Sequence, residues 1–115
     1  MSLASLLARL NGGASVPAIE HDAFARVVAD KSCAIVDVRE PHEYAAGHIP
    51  GAINLPLSSF TPRQLPSGKP VVLVCLAGGR SAKALQQAVA AGHKDVCHYP
   101  LGTGGWRNRG GAIVA

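Results

Sequence analysis

The residues Cys75-Leu76-Ala77-Gly78-Gly79-Arg80-Ser81 hold the densest chemistry in the chain. Two adjacent glycines let successive backbone N–H groups curl toward one point, and a helix starting directly after them adds unpaired donors and the positive end of its dipole. Such a loop is a cradle for an anion. A cysteine at its centre has its thiolate stabilised, which lowers its pKa and makes it a nucleophile near neutral pH. Arg80 adds a fixed positive charge. Each part also has a plainer explanation, since a cysteine ending a buried strand is usually a small core hydrophobe and a glycine pair can serve only as a tight turn. Strand end, glycines, arginine and helix start nevertheless converge as an activated nucleophile requires, so the reactive reading is preferred for Cys75.

That loop needs elements to position it. Pro70 introduces Val71-Val72-Leu73-Val74-Cys75, a fully apolar run that predicts a central strand ending at Cys75. After the loop, Ser81 to Ala91 has Ala84, Leu85, Ala88 and Val89 at helical spacing before Gly92 stops it. Upstream, an extended segment at Ile19 leads to a helix from about His21 to Ala29, carried by Phe24, Val27 and Val28. A buried strand, Cys33 to Val38, then ends in charge, and Pro41 to Ala46 forms a helical turn closed by Gly47. Ala52 to Asn54 is a short strand, Pro56 to Phe60 starts a helical segment, and Thr61 to Lys69 is a surface loop. Val96 to Tyr99 is the last strand, ahead of Gly102-Thr103-Gly104-Gly105 and a basic segment around Trp106. Strands alternating with helices predict an α/β fold with a mostly parallel sheet and helices on both faces. Ligands bind such sheets beyond the carboxyl ends of the strands, where Cys75 stands.

At 115 residues the chain has room for one core. Residues 17–115 are expected to form one domain and residues 1–16 an N-terminal arm or short amphipathic helix. In that arm Leu3, Leu6, Leu7 and Leu10 share a helical face, read as packing on the domain, with a targeting, membrane or partner-binding role as the alternative. A hydrophobic fraction of 48% with 16% charged residues argues against disorder. The net charge of +4 favours small anionic ligands, but Lys and Arg are scattered without interleaved aromatics, which argues against nucleic acid. No apolar run approaches a membrane span, so a soluble, cytoplasmic protein is expected.

The other reactive side chains read differently. Cys33 and Cys97 lie at or within strands without a glycine loop and are assigned to core packing. Three cysteines without paired spacing suggest a reducing compartment, and the five histidines form no metal-ligating pattern with them. No metal or cofactor is expected. Asp37 and Arg39 fall on the same sheet edge as Cys75 and are read as a salt bridge or loop anchor supporting the site. Arg80 can pin the loop to a carboxylate such as Glu43 while raising the local potential. His48 is read as a loop-stabilising donor and Trp106 as a cap on the core.

Asp37-Val38-Arg39-Glu40, with Glu43-Tyr44 and Gly47-His48-Ile49-Pro50-Gly51-Ala52-Ile53-Asn54, resembles the first signature of the rhodanese family of sulfurtransferases. Cys75-Leu76-Ala77-Gly78-Gly79-Arg80-Ser81 resembles that family's active-site loop, C-x-x-G-x-R. The resemblance runs from about Ile19 to Val114 and implies a rhodanese-like open sheet of about five mostly parallel strands. It further implies that Cys75 carries a persulfide, with the backbone amides of Leu76, Ala77, Gly78, Gly79, Arg80 and Ser81 as its cradle.

The implied reaction is a double displacement. Cys75 takes sulfur from thiosulfate or another small anionic donor and passes it to cyanide, a thiol acceptor or a protein partner, without a cofactor. Four residues separate Cys75 from Arg80, a spacing that in this family accompanies sulfurtransferases, whereas related phosphatases and arsenate reductases use a loop one residue longer. The second loop position, often Arg in the family, is Leu76. That apolar mouth suits a bulkier donor or a protein partner, and with it the alternative of a sulfur-carrying or regulatory module with negligible turnover. The interval before Trp106 is about two residues shorter than the family's ending.

Overall fold

A computed structural model describes residues 17–115 of the chain. The proposed N-terminal arm, residues 1–16, lies outside the described residues. Helix α1 (His21–Asp30) follows Glu20, whose carboxylate accepts the Ala23 N–H at 2.9 Å, and ends at Lys31 in a left-handed conformation. Strand β1 (Ala34–Asp37) leads to α2 (Pro41–Ala46), where Pro fills a first-turn position that needs no donor. Strand β2 (Ile53–Asn54) precedes two 3₁₀ turns, Leu57–Ser59 and Pro62–Gln64, the second lying within the expected surface loop. Then come β3 (Val71–Val74), α3 (Gly79–Ala90), β4 (Val96–His98) and α4 (Gly102–Asn108).

The strands form one parallel sheet in the order β2-β1-β3-β4. Val36 pairs with Leu73 and Leu73 with His98, so the ends of β1, β3 and β4 finish at one edge. Among the described residues four strands are present where about five were expected. The fifth position is taken by Pro17–Ile19, which meets β4 through a single parallel bridge at Ala18–His98. Its backbone is too briefly extended to make a ladder, with Ile19 N–H donating to His98 O at 3.0 Å and His98 N–H to Pro17 O at 3.2 Å.

Strand alternation sorts the core onto two faces. Val72 and Val74 pack with Ile19, Phe24, Val27, Ile35, Tyr99 and Trp106 beside α1 and α4. Val71, Leu73 and Cys75 pack with Val36, Phe60, Ala84, Leu85 and Ala88 beside α3. Each large aliphatic side chain buried in this way is worth about 1.5–3 kcal/mol relative to exposure. Phe24 stacks on Tyr99 at 4.2 Å and meets Trp106 edge-on at 5.5 Å, so Trp106 does close the core.

One sequence expectation changes here, and one segment gains an element. Val89 is half exposed, because the buried stripe of α3 runs through Ser81, Ala84, Leu85 and Ala88 and leaves Val89 on its flank. The glycine-rich Gly102–Gly105 segment, to which no element was assigned from the sequence, begins a helix. Its glycines are required by close approach: a Cβ on Gly102, whose φ is +65°, would collide with the carbonyls of Cys75 and Leu76. Packing against the loop overrides weak helix propensity.

Candidate active site

Cys75 follows β3 directly, one residue beyond the strand's last pair, and 1% of its surface is exposed. The chain then turns through Gly78, whose φ of +101° is accessible to glycine and strained for other residues. That turn aims the Gly78 N–H at the Cys75 sulfur across 3.1 Å. The Ser81 hydroxyl lies 3.6 Å from the same sulfur, within the first turn of α3. Burial pushes the Cys75 thiol up. The Ser81 hydroxyl and the backbone amides of Ser81, Ala77 and Gly78 pull it down, and the net shift is below the ordinary cysteine value of 9.0. The sulfur is enclosed, but the amides face it.

A clamp holds the loop from behind. Thr103 N–H donates to Cys75 O at 2.8 Å and Gly104 N–H to Leu76 O at 3.0 Å, so the start of α4 fixes the two carbonyls that open the loop. A Cβ on Gly78 would sit 2.6 Å from the Pro100 carbonyl oxygen, which shows how closely the segment after β4 backs the turn. This clamp was missed in the sequence, where the only signal was the run of glycines.

Arg80 points away from the sulfur to α2. Its guanidinium binds both carboxylate oxygens of Glu43, at 2.7 and 3.1 Å. The Arg80 hydrogen bond is the main reason the Glu43 carboxyl is pushed down to about 2. Asp37 and Arg39 do share the sheet edge and are buried. Arg39 grips the Asp37 carboxylate through Nε at 3.0 Å and a terminal nitrogen at 2.8 Å, and it also donates to Gly47 O at 2.7 Å. Asn54 Nδ2 donates to the Asp37 and Arg39 carbonyls, which fastens β2 to the same corner. These residues hold the chain after β1 and make no hydrogen bond to the loop. His48 stacks on Tyr44 at 3.7 Å, with its Nδ1 2.9 Å from Tyr44 O.

One residue near the sulfur escaped sequence reasoning. His98, 6% exposed, places Nδ1 2.9 Å from Ser81 Oγ. Burial pushes its imidazole below the usual histidine range, so it is neutral at physiological pH. Its position in the last predicted strand, beside the central one, was the available signal. Cys33 and Cys97 are buried in the core with thiols raised by burial, and both are free. At the mouth of the loop Leu76 is 48% exposed and Leu101 40%. Cavities of about 420 and 240 Å³ open elsewhere, the first against Pro70, Val71 and Asp95 where β3 and β4 begin.

The fold and site together define a class of α/β protein: a parallel sheet whose strand β3 is followed directly by a buried cysteine that accepts the Gly78 N–H. Comparison with known proteins gives the family. The model of the Rhodanese-like domain matches residues 20–109, and the chain belongs to that family. It is 32% identical to a sulfurtransferase of Allochromatium vinosum, over 84% of this chain and 94% of that protein. It is 45% identical to an uncharacterized protein of Synechocystis over 66% of this chain, and spans 44% of that relative's length. Among solved structures, the human single-domain sulfurtransferase TSTD1 superposes with a TM-score of 0.70 at 25% identity, over 83% of this chain and 98% of that one. Among the described residues no helix is long and apolar enough to cross a membrane.

Proposed function

We propose that this protein is a sulfurtransferase in which Cys75 carries a sulfane sulfur as a persulfide. The observation that carries the reading is the Gly78 N–H aimed at the Cys75 sulfur across 3.1 Å, inside a loop whose Ser81 hydroxyl and amides together outweigh burial and favour the thiolate. In the first half-reaction the thiolate attacks the outer sulfur of thiosulfate. A new sulfur–sulfur bond forms, the bond to the sulfonyl sulfur breaks, and sulfite leaves with the bonding pair. In the second, cyanide or a thiolate acceptor attacks the outer sulfur of the persulfide, giving thiocyanate or an acceptor persulfide and returning the Cys75 thiolate. Negative charge stays on sulfur throughout, so donors fixed in advance stabilise both transition states without reorganising.

The proposed roles are consistent with this geometry. Leu76, Ala77, Gly78, Gly79, Arg80 and Ser81 supply the cradle, Arg80 with Glu43 fixes its far end, and Asp37 with Arg39 holds the neighbouring strand exit. The sulfurtransferase relative supports the same chemistry. Free cysteines at 33, 75 and 97 fit a reducing compartment such as the cytoplasm. A second reading, a sulfur carrier charged and discharged by partner proteins, is favoured by one observation. The exposed Leu76 and Leu101 give the mouth an apolar rim better suited to a protein surface than to free thiosulfate. The test is thiocyanate production from thiosulfate and cyanide. Cys75→Ser is expected to abolish it with the fold intact, and turnover retained in that variant refutes the assignment. Efficient turnover of thiosulfate by the unmodified protein removes the reason for the carrier reading.

A further inference from the structure

A nucleophile needs a way to lose its proton, and Cys75 has almost no surface in contact with water. A chain of polar atoms leads away from it. Ser81 Oγ is 3.6 Å from the sulfur, and His98 Nδ1 is 2.9 Å from that same Oγ on its other side. Ser81 is fully buried, and its single hydroxyl proton has three acceptors within reach: the sulfur, the Gly78 carbonyl at 3.2 Å and His98. The register places His98 there, because Leu73 pairs with His98 and Cys75 stands two residues beyond Leu73 on the same face of the sheet. His98 keeps 6% of its surface exposed, against 1% for Cys75 and none for Ser81, so the chain of polar atoms runs outward.

We infer that His98 is the positioning residue of the nucleophile: the Cys75 proton leaves through Ser81 and His98, and His98 then holds the Ser81 hydroxyl on the thiolate. The inference rests on the reading of Cys75 as the sulfur-carrying residue. The Sγ–H bond breaks as Ser81 Oγ takes that proton, while the hydroxyl's own proton passes to His98 Nδ1. The imidazolium then gives its Nε2 proton to water. One proton has left, and what remains is a thiolate, a Ser81 O–H directed at it, and a neutral imidazole whose Nδ1–H donates to Oγ. In the thiol form the same bonds run in reverse, from S–H to Oγ and from O–H to Nδ1. The tautomer of His98 therefore reports the charge on Cys75.

The burial that pushes the His98 pKa down keeps the ring neutral at both ends of this exchange. Among the described residues the charged and titratable groups around the chain are few. Cys75 comes from β3, and α3 brings Arg80, whose charge is coupled to Cys75 and is held by Glu43 of α2. Asp37 and Arg39 pair with each other after β1, and the edge segment Pro17–Ile19 carries no ionisable side chain. On β4 itself Tyr99 bonds His21 of α1 at 2.7 Å.

The test titrates thiolate absorbance, with Cys75→Ser as the baseline. Because burial raises the thiols of Cys33 and Cys97, the difference reports Cys75. His98→Leu is expected to raise the Cys75 pKa by about one unit, roughly a tenfold loss of thiolate at neutral pH. His98→Asn, whose amide can donate from the Nδ1 position, restores most of it. In a Ser81→Ala background His98→Leu adds nothing further. Nitrogen-15 NMR of the unmutated protein reads the ring directly. The expected result is an Nε2–H tautomer with the Cys75 thiol, changing to Nδ1–H with the thiolate, and no such change in Cys75→Ser. An unmoved titration in His98→Leu, an equal shift in the Ser81→Ala background, or one tautomer throughout overturns the inference. These readouts need no sulfur donor. If they hold while no persulfide forms, the sulfurtransferase reading falls and the relay stands; if a persulfide forms while the tautomer stays fixed, the relay falls and the sulfurtransferase reading stands.

Discussion

Arg80 and Glu43, 37 residues apart in the chain, meet in a two-pronged ion pair with contacts of 2.7 and 3.1 Å. The pair ties the first turn of α3 to α2 and so fixes the end of the cradle that Gly78 does not. Both side chains keep some water contact, 34% and 24% exposed, so screening reduces their attraction and two parallel hydrogen bonds set the geometry.

Glu43→Gln removes the charge and keeps the shape. The Glu43 carboxyl sits at about 2 in the folded chain, below its ordinary value of 4.5, so its stabilisation is complete above 4.5 and lost as pH falls toward 2. The variant is expected to be less stable by about 0.5–1 kcal/mol near neutral pH. Chemical denaturation at a series of pH values should show this gap closing between 4.5 and 2. Equal stabilities at neutral pH would show that the pair only orients the loop.

The lowered pKa of Cys75 sets its reactivity profile. The thiolate fraction should rise with pH through a midpoint below 9.0, the value of a free cysteine. Alkylation of Cys75 by a small haloacetamide, followed by peptide mass spectrometry, gives the profile. Cys33 and Cys97 should react far more slowly, because burial raises both thiols. A midpoint for Cys75 at or above 9.0 contradicts the cradle.

Gly78→Ala tests the turn itself. A Cβ there meets both an unfavourable φ of +101° and the Pro100 carbonyl oxygen at 2.6 Å. The loss of stability is expected to be about 1–3 kcal/mol, with the amide no longer aimed at the sulfur. Thermal unfolding and the alkylation midpoint should therefore shift together. A stable variant with an unchanged midpoint would mean that Gly78 contributes nothing to the thiolate.

Leu76→Arg separates anion recruitment from chemistry. Leu76 is 48% exposed at the mouth, so a guanidinium there can reach solvent and an incoming anion without disturbing the core. The half-saturating thiosulfate concentration is expected to fall several-fold while maximal turnover changes little, as for binding shared equally by ground and transition states. An unchanged value would place donor binding elsewhere on the rim.

Much of this was legible in the sequence because it rests on local pattern. Val71 to Val74 is apolar at every position, Gly78 and Gly79 announce a special turn, and the alternation of strands and helices fixes a parallel sheet. The pairing of Arg80 with Glu43 was readable from a guanidinium that needed a carboxylate near the loop. What was not legible depends on contacts distant in sequence. His98 looks like one more residue in a strand until register sets it beside Ser81. Gly102 to Gly105 looks irregular until the Cys75 and Leu76 carbonyls claim the N–H groups of Thr103 and Gly104. The expected fifth strand dwindled to the Ala18 bridge because a short extended segment does not reveal how many partners it will find.

The most direct test of the account is intact mass spectrometry after exposure to thiosulfate, with the adduct localised by peptide mapping under non-reducing conditions. The account predicts a gain of one sulfur atom on Cys75, removed by cyanide and absent in Cys75→Ser. Sulfur found on Cys33 or Cys97, or no gain at all in folded protein, would contradict it.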